Sequence, residues 1–130
     1  MNESPLFSRT YDMLLWLIPQ ATRFPRVHRF GLGERVVRLG LTFQETIIAA
    51  ALHQGRERRD LLKRADVHLA QLRTTLRLCK DLELFSLGKY EYVAERLVEV
   101  GKLLGAWIID MNGPTVGQAG SLTQTLEKTS

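Results

Sequence analysis

The stretch Arg56–Phe85, RERRDLLKRADVHLAQLRTTLRLCKDLELF, constrains the fold more than any other part of the chain. It holds no Gly or Pro, and Ala and long straight side chains dominate it, so it reads as one long helix. Projected at about 100° per residue, Leu61, Leu62, Ala65, Leu69, Leu72, Leu76 and Cys79 share an arc of roughly 100°. Arg59, Lys63, Arg73, Arg77 and Lys80 fall on the adjoining arc, where the only acids are Asp66 and Asp81. A helix with a core face beside a basic face needs other helices on one side and offers cations on the other. That pattern predicts a helical bundle.

The chain has 130 residues, enough for one core. Its composition, 45% apolar and 25% charged, is that of a globular protein. The net charge of +4 favours anionic partners mildly. The excess is uneven: Arg56–Phe85 has eight Lys/Arg against five Asp/Glu, and residues 86–130 have four against five. A single cysteine, Cys79, rules out an intrachain disulfide; its place on the core arc reads as a buried small hydrophobe, compatible with a reducing cytoplasm. No basic segment followed by an apolar run opens the chain, and the longest apolar runs, Met13–Ile18 and Ile47–Leu52, are too short to span a membrane.

Taken in order, Ser4-Pro5 is a helix start, with Ser as N-cap and Pro at the first helical position. Leu6, Thr10, Met13, Leu14, Leu17 and Ile18 follow at helical spacing. Pro19 kinks the helix or begins a second segment, and the helix is expected to stop before Pro25. Arg23–Arg35 holds Pro25, Gly31 and Gly33 and reads as an interhelical loop. It also sets Arg23, Arg26, Arg29 and Arg35 among Phe24, His28 and Phe30. Such a pattern grips phosphates and stacks bases; it also fits a loop pinned by two buried Phe with solvated arginines. Gly33–Gln54 is a second helix with the stripe Val36, Leu39, Phe43, Ile47, Ala50 and Ala51, ended by Gly55. Ser86 caps a last helix, Leu87–Met111, with the stripe Val93, Leu97, Val100, Leu104, Trp107, Ile108 and Met111.

On that last helix Gly101 and Gly105 lie one turn apart, where small residues admit another helix closely. Glu91, Glu95 and Glu99 form an acidic ladder away from the stripe, read either as a solvated face or as a surface for basic residues of another chain. Residues 113–130, rich in Gly and without a core stripe, are expected to be a flexible tail behind a 1–112 bundle.

Catalytic and metal-binding signatures are sparse. His28, His53 and His68 lack Cys or acids at zinc-site spacing, no Walker-type glycine loop occurs, and no Ser or Cys nucleophile has a recognisable setting. No cofactor is expected. Arg23 and His28 have the spacing of an arginine–histidine pair in some helical ribonucleases, but Pro25 separates them.

FPRVHRFGLGERV (Phe24–Val36), LRTTLRLCKDLELFSLGKYE (Leu72–Glu91) and ERLVEVGKLLGAWI (Glu95–Ile108) together resemble the accessory variability proteins of diversity-generating retroelements. These are grouped with small four-helix-bundle proteins encoded in intervening sequences of bacterial 23S ribosomal RNA genes. The resemblance covers roughly Tyr11–Asn112. It implies an all-α antiparallel four-helix bundle that assembles as a homopentameric barrel, with no active site of its own. It also implies a basic surface that engages a reverse transcriptase and its template RNA, with the cDNA as an open further partner. By position, Arg73 and Arg77 match the family's paired arginines.

Two classes of function follow. One is a cytoplasmic, non-enzymatic scaffold for the polymerase and its RNA, using Arg59, Lys63, Arg73, Arg77 and Lys80 together with Arg23, Arg26 and Arg29. The other is a structural or protein-interaction bundle whose basic face never meets RNA. The helices are expected to span about 30–42 Å.

Overall fold

Four apolar stripes at helical spacing must face one another to leave water, and they do. The computed structural model describes residues 4–112, and every regular element among them is helical. α1 is Pro5–Thr22, α2 is Glu34–Leu52, α3 is Gly55–Asp81 and α4 is Leu87–Asn112. Each packs on the next in sequence, and α4 closes against α1, which gives an antiparallel four-helix bundle. The tail expected over 113–130 lies outside the described residues.

The predicted stripes form the core. Leu6, Met13, Leu14 and Leu17 of α1 meet Val36, Leu39, Phe43 and Ile47 of α2, Leu62, Leu69, Leu72 and Leu76 of α3, and Val93, Leu97, Val100 and Leu104 of α4. Trp107, Ile108 and Met111 are only partly buried at the end of α4. The Ser4 hydroxyl accepts from the Leu6 amide at 3.2 Å, and the Ser86 hydroxyl from the Lys89 amide at 3.2 Å, so both predicted caps hold. α1 runs through Pro19 as one element.

The segment 23–35 differs from the expected loop. Only Arg23–Pro25 is irregular; Pro25 stands as the N-cap of a single turn, Arg26–His28, which continues as a π-helical turn, Arg29–Gly33, directly into α2. Pro25 therefore ends one helix and starts the next, since its missing N–H costs nothing at a helix start. Gly33 is needed for packing: a Cβ there would lie 2.8 Å from the Ala21 carbonyl oxygen at the end of α1.

α3 is also shorter than expected. It stops at Asp81, with Glu83 in left-handed backbone (φ 63°). The amides of Glu83 and Leu84 donate to the carbonyls of Lys80 and Cys79, both at 2.9 Å, which closes a Schellman turn without glycine. Phe85 then turns inward against Phe24 and Trp16. At the other end of α3, Gly55 takes φ 60°, and the α2–α3 reversal depends on it.

Candidate nucleic-acid interface

The α3 row of cations follows from helical pitch: Arg59 to Lys80 extends along the axis for about 32 Å at 1.5 Å per residue. Lys63, Arg73 and Arg77 are exposed, and Arg59 and Lys80 are half-buried. Lys80 is engaged: its Nζ lies 3.2 Å from Asp81 and 5.2 Å from the centre of the Tyr90 ring. Arg59, Lys63, Arg73 and Arg77 enter no ion pair among the described residues. The Arg73 guanidinium rests beside Gly101, where an added Cβ would stand 3.5 Å from its nitrogen. This places Arg73 in the seam between α3 and α4, so the row borders α4.

The acidic ladder does not neutralise that row. Glu99 accepts from Arg9 of α1 at 2.5 Å, and Arg96 lies 3.6 Å from Glu99 and 3.7 Å from Glu95. The hydrogen bond and charge of Glu99 raise the pKa of Arg9 above its ordinary value. Glu95 and Glu99 thus pair with α1 and with their own helix, away from Arg73 and Arg77, and Glu91 enters no ion pair among the described residues. Gly105 meets nothing within 4 Å of an added Cβ, so among the described residues no helix approaches it on that side.

The second basic group lies at the junction of α1 and α2. Arg23, Arg26 and Arg29 are all exposed, but the rings between them separate: Phe24 is buried, His28 is half-buried and Phe30 is exposed. The expected pair of buried Phe is therefore half right, and Phe30 alone remains available for stacking. The structure does not bring this group together with the α3 row. Arg29 lines a groove between the end of α1 and the outer face of α2, whereas Arg73 faces α4. Cys79 is buried, and burial pushes its thiol up to about 11, which suits packing and not nucleophilic chemistry. Among the described residues no group of three or more His, Cys, Asp or Glu could hold a metal ion, and no helix is long and apolar enough to cross a membrane.

One arginine escaped the sequence reading. Arg58 of α3 turns to the end of α2: its Nε donates to the carbonyls of Ala50 and His53, both at 2.9 Å, and Nη2 to that of Ala51 at 3.2 Å. Its guanidinium also lies 5.6 Å from the centre of the Trp107 ring, which meets Phe7 edge-on. Parts of all four helices meet at this cation. The available signal was an α2 last turn without Lys or Arg, whose orphan carbonyls needed a donor from elsewhere.

Residues 6–111 match the family model described as bAvd-like. No curated protein matches the chain.

Proposed function

The chain belongs to the bAvd-like family, and from that premise we propose that it is a non-enzymatic accessory protein of a diversity-generating retroelement. In this role it binds the element's reverse transcriptase and template RNA in the cytoplasm and supports mutagenic cDNA synthesis and retrohoming. The observation that carries the reading is the α3 row, in which Arg59, Lys63, Arg73 and Arg77 have no acidic partner among the described residues. Four cations along one edge of a rigid helix can meet successive phosphates, and such contacts position a nucleic acid with little readout of bases. The polymerase supplies the chemistry.

The same reading includes assembly as a homopentamer. Its support is the α4 face carrying exposed Val98 and half-buried Gly105, where an added Cβ would meet nothing within 4 Å. Light scattering that returns a monomer at micromolar concentration would remove the pentamer from the proposal.

The test of the basic row is Arg73→Ala with Arg77→Ala. The double variant is expected to fold normally and to bind the polymerase–RNA complex more weakly, with a shallower salt dependence. Unchanged affinity and unchanged salt slope would leave the row a solvated face and return the protein to the class of interaction bundles.

A further inference from the structure

We propose that the groove beside the π-helical turn holds one unpaired base of a single-stranded nucleic acid, with Phe30 stacking on the base and Arg29 and Arg38 meeting its flanking phosphates. The inference rests on the reading that the protein binds RNA, and adds to it a second contact site on a different face.

The π turn is what builds the site. In an unbroken α-helix, Arg29 would stand seven residues before Val36 and share its core-facing phase. The extra residue of the π turn gives that phase to His28, which is half-buried, and leaves Arg29 exposed on the groove. The Arg29 Nε donates to the Phe24 carbonyl at 3.3 Å, which anchors the side chain at the rim. Gly33 lets the turn sit against the end of α1, and so closes one end of the groove.

The groove has a volume of about 600 Å³, within the range that takes a small organic ligand. Phe30, Val37 and Leu41 supply apolar walls, and Phe30 is 69% exposed, a high value for a large ring. Arg29 and Arg38 stand among the lining residues, as do Glu34 and Glu45. Carboxylates repel phosphates but accept from the exocyclic amino groups of bases, so their presence suits a base within the groove and phosphates outside it. The charge of the neighbourhood favours nucleic acid over a protein helix: residues 23–45 carry five Arg and two Glu. None of these arginines enters an ion pair among the described residues. An aromatic ring beside guanidinium groups without acidic partners is the arrangement by which single strands are held without sequence preference.

The experiment compares full-length protein with Phe30→Ala and Phe30→Trp. Anisotropy is read on three probes: a short oligoadenylate, the same backbone with abasic sugars, and an RNA duplex of equal charge. Phe30→Ala is expected to weaken oligoadenylate binding by about tenfold, within the range of one base–aromatic stack, and to leave the abasic strand and the duplex unchanged. Phe30→Trp should restore the loss. Equal binding of oligoadenylate by wild type and Phe30→Ala overturns the base pocket while leaving the α3 row untouched. Equal losses on the abasic strand overturn it too. A Phe30→Ala protein that changes oligomeric mass in light scattering assigns the groove to a protein contact and overturns the proposal. A wild-type protein that binds none of the three probes overturns both this proposal and the RNA-binding reading.

Discussion

Arg58 and the Arg73/Arg77 pair share one helix and one side-chain chemistry, yet they do opposite things. The Arg58 guanidinium makes three hydrogen bonds to the carbonyls that end α2, and lies over Trp107. Arg73 and Arg77 have no acidic partner among the described residues, although Arg73 lies beside Gly101 of α4. Arginine count is therefore a poor guide to function on such a helix. What matters is whether a neighbouring element presents unsatisfied carbonyls. At the start of α3 it does, because α2 ends there without a cation of its own. Further along, α3 faces the middles of its neighbours, whose carbonyls are already used by their own helices, and the cations stay available.

The largest expected effect breaks this contrast at Arg58. Arg58→Ala takes a charged donor from three carbonyls, of which that of Ala50 keeps the His53 amide at 3.4 Å, and should cost about 2 kcal/mol. In a domain of this size that lowers the Tm by roughly 5–8 °C in thermal denaturation. An unchanged Tm would mean that water replaces the arginine fully and that Arg58 is as free as Arg73. Next, Arg73→Ala with Arg77→Ala should reverse the pattern. Stability should stay within about 0.5 kcal/mol, while RNA affinity at low salt falls roughly tenfold and the slope of log K against log salt shrinks by about 2. Loss of folding in this variant would make the pair structural and erase the distinction.

Two smaller effects sharpen it by moving stability without touching either arginine group. Thr10 is 0% exposed, and its hydroxyl has no hydrogen-bond partner among the described residues. Thr10→Val replaces that hydroxyl with a methyl of similar shape and should gain about 1 kcal/mol. Combined with Arg58→Ala, it should restore part of the lost Tm and leave RNA affinity unchanged. The smallest effect is at the opposite end of α3. Glu83 holds left-handed backbone, which costs a residue with a Cβ about 1–2 kcal/mol. Glu83→Gly removes that strain but adds freedom to the unfolded chain, so a net gain of roughly 0.5 kcal/mol is expected in urea denaturation. A destabilised Glu83→Gly would show that the glutamate side chain contributes something the Schellman turn does not need.

Much of the fold was legible along the chain. The four apolar stripes, the caps at Ser4 and Ser86, the helical course of Arg56–Asp81 and the buried place of Cys79 all follow from periods and from pairs a few residues apart. The basic arc of α3 was legible for the same reason, since a helix's phase is set locally. The segment 23–35 was misread because Pro25, Gly31 and Gly33 carry the usual marks of a loop. The helical outcome depends on Gly33 fitting under the Ala21 carbonyl, a contact between elements that no spacing rule reports. The end of α3 was placed too late because the residue in left-handed backbone is a glutamate and not the expected glycine.

By itself, then, the sequence determined which faces of which helices avoid water, and where two of the helices begin. The tertiary structure alone decided three things: that Arg58 closes α2, that a π turn hands the core phase from Arg29 to His28, and that the two arginine groups face different sides of the bundle. The physical reason is range. Helical phase and N-caps arise from atoms within one or two turns, so local composition encodes them. A donor for an orphan carbonyl, or room for a backbone beside another backbone, comes from a different segment, and exists only once the helices have packed.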